Sequence, residues 1–520
     1  MKQDYDYIVI GSGFGGSVSA LRLSEKGYRV LVIEKGKRWK PEDFPRTNWN
    51  LRKWLWLPLF RFHGFFKMTF MRHVGILSGV GVGGGSLVYA NTLPRPEQAF
   101  FKSGSWAGLA DWEAELEPHY REAERMLGAT QNPELFEADL VLKEVASGYK
   151  QGDRFEPTRV AVFFGEPEKK VEDPYFDGNG PVRSGCNHCG ACMTGCRHNA
   201  KNTLDKNYLY LAEQLGAEVM DGTKVIRIEP EGNHSGEQGY RILVRDSLKF
   251  IKRKRFITSQ GLILSGGALG TVRLLLNMKR KHLKELSGQL GDQIRTNNES
   301  LVLVHSRQKE KDFSKGVAIG SIFPPDQDTH LEAVRYGSGS GFWKMMAVPL
   351  THGKSVAGRI FKLTWRLITR PASWLRIYVS RNFAEDSMIL LFMQHLDSTL
   401  RFKRGLVNLR STISQGEPPS AFMPLARELA EATSRVIDGT PFVMATEALT
   451  GTPTTAHILG GCVIGKDIKT GVINKEHKVF GYSNMYVCDG SAISANPGVN
   501  PALTITAMTE RAMAGIPEKK

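Results

Sequence analysis

The sequence predicts an α/β fold in two domains, one built from βαβ units around a parallel sheet, the other an α+β unit on a mixed or antiparallel sheet. Three observations carry this reading. The chain has 520 residues, too many for one simple core. It opens with an apolar run, a glycine-rich turn, a helical run and a second apolar run. Near its end another strand-like run stops at Asp489-Gly490 and leads into a helix.

In chain order, residues 5–10 (YDYIVI) form a short apolar strand, followed by Gly11-Ser-Gly13-Phe-Gly15-Gly16 and a helical run to Lys26. A second strand, YRVLVIE, ends at Glu34. This is the G-x-G-x-x-G dinucleotide fingerprint in the βαβ setting it requires, and it makes the unit Rossmann-like. Gly11 permits the tight turn, Gly13 lets the backbone approach a pyrophosphate, and Gly16 lets the helix pack on the strand. The helix N-terminus stabilises phosphate charge through its dipole and free N–H groups. Glu34 stands where a carboxylate accepts hydrogen bonds from a ribose hydroxyl.

Three later segments extend the pattern. Residues 79–91 read GVGVGGGSLVYAN, a glycine loop too dense for an ordinary connection. Residues 261–276 read GLILSGGALGTVRLLL, and residues 486–508 read YVCDGSAISANPGVNPALTITAM. With the N-terminal fingerprint, these segments resemble the glucose–methanol–choline (GMC) family of FAD-dependent alcohol oxidoreductases. Within it they are most similar to the cholesterol oxidases, whose H-x-L-G-G-C and G-V-N-P patterns are nearly matched by His457-Ile-Leu-Gly-Gly-Cys462 and Gly498-Val-Asn500-Pro501. The resemblance implies the GMC fold, an FAD-binding domain discontinuous over 1–38, 75–93, 200–297 and 460–520, and a substrate-binding domain over 39–74, 94–199 and 298–459. It implies FAD contacts from Gly11, Gly13, Gly16, Glu34, Gly83, Gly84, Ser86, Asn91, Val225, Asp489 and Gly490. Tyr89 and Asn91, in Ser86-Leu-Val-Tyr89-Ala-Asn91, would stand near the flavin and alter the polarity of its cavity.

Oxidising an alcohol through flavin moves a hydride from carbon while a base takes the hydroxyl proton. His457 and Asn500 match the family's active-site histidine and asparagine, so the resemblance implies that His457 accepts or relays the proton and Asn500 binds the hydroxyl. It also aligns Glu332 with a glutamate that removes a carbon-bound proton during double-bond isomerisation. A carboxyl in an apolar cavity would hold its proton more tightly. The bland alternative is a glutamate paired with Arg335. The expected substrate is a steroid or another bulky hydrophobic alcohol. A non-sterol lipid or terpenoid alcohol is the alternative within the family, and a non-catalytic flavin and iron–sulfur electron-transfer subunit the alternative outside it.

Four of the six cysteines, Cys186, Cys189, Cys192 and Cys196, follow the C-x2-C-x2-C-x3-C spacing of a ferredoxin cluster run. An iron–sulfur cluster, [4Fe–4S] or [3Fe–4S], is the leading reading, with electrons leaving through it or to O2. Zinc assisted by His188 or His198, and thiols without a ligand, are the alternatives. The acceptor would then be an acidic one-electron protein or a quinone.

The formal net charge is +16 and the pI near 9.4. Charge alone would suit nucleic acid, anionic lipid or an acidic protein. The absence of any recognisable nucleic-acid module argues against the first. The chain enters its first strand without an apolar signal segment, and a cytoplasmic protein without a spanning helix is expected. In RIFKLTWRLITR (359–370), Arg359, Lys362, Arg366 and Arg370 share one helical face, and residues 52–72 mix aromatics with basic residues. Such segments suit peripheral contact with an anionic membrane.

Overall fold

A computed structural model of the chain describes residues 3–232, 234–351, 353, 355–369, 371–396, 398–405 and 408–520. The strand Tyr5–Ile10 lies in a seven-stranded sheet, flanked in parallel by Val30–Ile33 and Lys254–Leu264. Glu218–Met220 and Met485–Val487 extend the parallel part, and Thr223–Pro230 with Tyr240–Asp246 forms an antiparallel edge. A parallel sheet is covered on both faces, which is why Ile8, Val9, Val32 and Leu262 read as unbroken apolar runs and are buried. The helix Phe14–Glu25 packs against Tyr208–Gln214 and Ala502–Ala514, bringing both chain ends and the middle into one core.

The second seven-stranded sheet is antiparallel in every pairing. Its order is Ala347–Pro349, Gly439–Met444, Ser300–Ser306, Ser387–Gln394, Thr329–Val334, Ile319–Phe323 and Glu156–Pro157. One face buries Val302, Leu331, Leu390 and Phe392 against the helices Glu137–Gly148 and Pro424–Val436. The other face carries Leu301, Leu303, Val334 and Leu391 toward a large cavity that the first sheet bounds through Ile10, Ile33 and Leu264. The site therefore lies between the two sheets.

The 52–72 stretch folds as short pieces. Trp54, Phe65 and Phe66 are buried in an aromatic cluster, while Leu59 and Phe60 stand out at the tip of the hairpin Trp56–Leu57/Phe62–His63. The helix Val356–Thr369 turns only Arg359 and Leu363 fully inward among its described residues. Arg359 is buried and donates to the carbonyls of Ala448, Gly353 and Leu449, and Arg366 donates to that of Leu350. The apolar residues Ile360, Phe361, Trp365 and Ile368 face outward, Phe361 being 70% and Ile368 71% exposed. Arg370 lies outside the described residues. No helix among the described residues is long and apolar enough to cross a membrane.

Candidate active site

The cavity between the sheets measures about 990 Å3 and is lined by Gly11, Gly13, Glu34, Gly84, Val225, His457, Asp489, Gly490 and Asn500. At one end the glycine turn is fixed by sterics. A Cβ on Gly11 (φ 104°) would sit 2.2 Å from the Ser265 carbonyl oxygen, and one on Gly16 would sit 2.0 Å from that of Gly11. At Gly13 a Cβ would meet nothing within 4 Å, so it would project into the space before the N-terminus of Phe14–Glu25. That cradle has the form a pyrophosphate fills. Glu34 is locked by Ser12, whose N–H and Oγ–H donate to Oε2 at 3.3 and 3.0 Å, and by the Gly36 N–H at 2.9 Å. The residues present thus fit the dinucleotide part of FAD.

Gly16, Gly83, Ser86 and Asn91 lie behind this wall. The Gly83 N–H donates to Ser12 Oγ, and Ser86 Oγ–H donates to the Gly83 carbonyl while accepting from the Leu204 N–H. Asn91 is fully buried at φ 72°. Asp489 Oδ2 accepts from Thr271 Oγ1 and Oδ1 from the Ser491 N–H, joining two βα turns, and burial raises its pKa. Spacing gave no sign of the cations around the Glu34 end: Lys35, Lys67, Lys224, Arg245, Lys252 and Arg273. Burial first, then neighbouring positive charge, lowers Lys67 to about 7 and Lys224 to about 8. Such a concentration of positive charge suits an anionic group.

At the other end His457 and Asn500 face the same space. The His457 loop is pinned by reciprocal backbone hydrogen bonds between Arg295 and Leu459 and by the Gly460 N–H on the Gly490 carbonyl. His457 Nδ1 lies 2.6 Å from Glu299 Oε1, a carboxylate that also accepts from Thr455 Oγ1 (2.7 Å) and the Ala456 N–H (2.8 Å). Burial alone would lower the His457 pKa, but the charge of the adjacent Glu299 carboxylate prevails and raises it. Sequence reasoning missed Glu299, whose only signal is the polar run Thr296-Asn-Asn-Glu-Ser entering an apolar strand.

Glu332 is fully buried on Thr329–Val334, with His330 Nε2 3.0 Å from Oε1 and the Asn500 Nδ2–H donating to Oε2 at 3.3 Å. Arg335 pairs with Asp139 at 2.7 Å. Asn500 stands between Glu332 and the cavity, and its Oδ1 has no partner among the described residues. A buried acceptor without a partner beside a cavity is one that a ligand hydroxyl would satisfy.

Cys186, Cys189, Cys192 and Cys196 line a separate cavity of about 20 Å3, room for about one water. Among the described residues no group of three or more His, Cys, Asp or Glu side chains is placed to hold a metal ion. The expected iron–sulfur cluster, and zinc as its alternative, therefore lack a ligand set here. The chain turns at Gly190 (φ 64°) and Gly195 (φ 88°) and wraps the four thiols around this small space. Burial pushes the Cys189 thiol up to about 11 and raises those of Cys186 and Cys192 as well. His188 turns to Glu134 at 3.2 Å, and His198 toward Glu168 at 3.8 Å. Lys201 ties the segment to the glycine loop, donating from Nζ to the carbonyls of Leu87, Tyr89 and Cys192.

Models described as GMC oxidoreductase match residues 181–285 and 403–509, and one described as an NAD(P)-binding Rossmann-like domain matches 9–39. The chain is 46% identical, over 99% of its length and 95% of the relative's, to a cholesterol oxidase of Acinetobacter baumannii. It is 45% identical to a cholesterol oxidase of Mycobacterium tuberculosis, covering 100% of this chain and 92% of that one. The chain belongs to the GMC oxidoreductase family. This GMC oxidoreductase is accordingly an FAD-dependent enzyme acting on CH–OH donors. It shares its fold with pyridoxine 4-oxidase from Mesorbium loti, at a TM-score of 0.61 and 16% identity over 98% of each chain.

Proposed function

We propose that this GMC oxidoreductase oxidises the hydroxyl of a sterol, or of a similarly bulky hydrophobic alcohol, to a ketone. The observation that carries the reading is the His457/Asn500 pair at the end of a cavity whose walls include Phe66, Met68, Leu301, Ile319, Trp343 and Leu391. The two relatives named cholesterol oxidase support it. Bound FAD supplies the hydride acceptor. The apolar walls hold the carbon skeleton and exclude water, and Asn500 Oδ1 is an open acceptor for the hydroxyl. His457 takes the hydroxyl proton as the carbinol C–H bond breaks. Glu332 does not line the cavity and accepts a hydrogen bond from Asn500, which does, so no isomerisation is assigned to it.

The exposed Ile360, Phe361, Trp365 and Ile368 support a second part of this reading, in which the alcohol is taken from a lipid surface. Anaerobic mixing of the holoenzyme with a sterol tests the function. Flavin absorbance is expected to bleach, and His457→Ala to slow bleaching by about 10²-fold or more with FAD still bound. No bleaching with any sterol or long-chain alcohol would overturn the reading. Bleaching unaffected by His457→Ala would give His457's role to another group.

A further inference from the structure

We propose that Glu299 is the positioning residue of this site: its carboxylate holds the proton on His457 Nδ1, so that Nε2 is the basic atom offered to the alcohol. The inference deepens the proposed function, resting on His457 as the acceptor of the hydroxyl proton.

The geometry is specific. An imidazole can be neutral with a proton on either nitrogen, and the group facing one nitrogen decides which. Glu299 Oε1 is 2.6 Å from Nδ1, so the neutral ring keeps its proton there. The carboxylate is itself immobile. It is 1% exposed and accepts from Thr455 and Ala456, on the same loop that carries His457.

The neighbouring backbone adds a second hold. Asn297 (φ 58°) and Asn298 (φ 43°) adopt the left-handed conformation that asparagine tolerates, which turns the chain sharply before Glu299. Asn297 Nδ2–H donates to the carbonyl of Val499 at 3.1 Å, next to Asn500, and Asn298 Nδ2–H to that of Leu396 at 3.0 Å. One buried segment thereby fixes His457 through a carboxylate and Asn500 through its preceding carbonyl. When the alcohol O–H bond breaks, a new N–H bond forms at Nε2, and the resulting imidazolium lies against Glu299. The other carboxylate acting on His457 is Glu332, on the strand Thr329–Val334, while Glu447, on the helix Ala445–Thr450, acts on Glu299.

The test uses holoenzyme labelled with 15N-histidine, with the His457 signal assigned by its loss in His457→Asn. The wild type is expected to show the Nδ1–H tautomer and a titration above the ordinary histidine range. In Glu299→Gln the titration should fall by about one unit or more. The alkaline-rising limb of anaerobic flavin reduction should move down with it, and the reduction rate fall about tenfold or more at unchanged FAD content. Glu299→Asp should restore part of both. An Nε2–H tautomer in the wild type, or a titration and pH limb unmoved in Glu299→Gln, would overturn the proposal. Should Glu299→Gln fail to fold, the wild-type tautomer and Glu299→Asp decide alone. Failure of every alcohol to reduce the flavin would sink the proposed function, while the tautomer would still decide the role of Glu299.

Discussion

A single buried carboxyl shows how much this site asks of its surroundings. Glu447 is 1% exposed, accepts one hydrogen bond from the Thr454 N–H at 3.2 Å, and leaves Oε2 without a partner among the described residues. Burial raises its pKa to about 8, against an ordinary value near 4.3. The folded state therefore retains a proton that the unfolded chain gives up. Stability from this group is fully present below the unfolded value and is lost as pH rises toward the folded one. Glu447→Gln removes that dependence. Relative to wild type, the variant should gain a few kcal/mol of unfolding free energy between about pH 5.5 and about pH 8.5. Denaturant unfolding at the two pH values checks this. A difference that does not widen with pH would mean that Glu447 is already ionised in the folded protein.

Secondary-structure elements set the geometry that such residues exploit, and the tightest junction is at Gly15. A Cβ there would lie 1.7 Å from the Cys488 carbonyl oxygen, backbone that cannot yield without moving Asp489. Gly15→Ala should cost about 1–3 kcal/mol or more through overpacking and lower the FAD content of purified protein. Full FAD occupancy with an unchanged melting temperature would show that the helix and the C-terminal strand are less closely coupled than drawn here. The glycine turn was legible in the sequence through its G-x-G-x-x-G spacing, but its junction with Cys488 was not, because only the fold brings that distant carbonyl against Gly15. The placement of His457 and Asn500 was legible through the motifs around them. Glu299 was not, because its partner comes from a loop distant in the chain and only the fold brings them together. Periodicity likewise showed that 359–370 has two faces but not which one turns inward. The answer depends on the carbonyls of Leu350, Gly353 and Ala448 that receive its arginines. Cysteine spacing recorded thiol density, while the turns at Gly190 and Gly195 decided how the thiols are arranged.

At the scale of the whole molecule, the net charge of +16 and the outward apolar face of Val356–Thr369 act over different distances. On the proposed lipid contact, the charge would attract the protein to an anionic bilayer across roughly a Debye length, about 10 Å at 0.1 M salt and about 3 Å at 1 M. Insertion of Phe361, Trp365 and Ile368, all exposed, is short-ranged and insensitive to salt. Two separable effects follow in sedimentation with phosphatidylserine-containing vesicles. Raising salt toward 1 M should weaken binding of the wild type without abolishing it. Phe361→Ser with Trp365→Ser should remove the salt-resistant part and leave a fraction that salt releases completely. Both side chains are surface-exposed, so reduction of the flavin by a freely soluble alcohol should be the same in the double variant as in wild type. Oxidation of sterol presented in vesicles should fall with vesicle binding. If the double variant binds vesicles as tightly as wild type at high salt, the face of Val356–Thr369 is not the membrane-contacting surface. Should soluble-alcohol turnover fall as well, the helix would instead be shaping the cavity from outside.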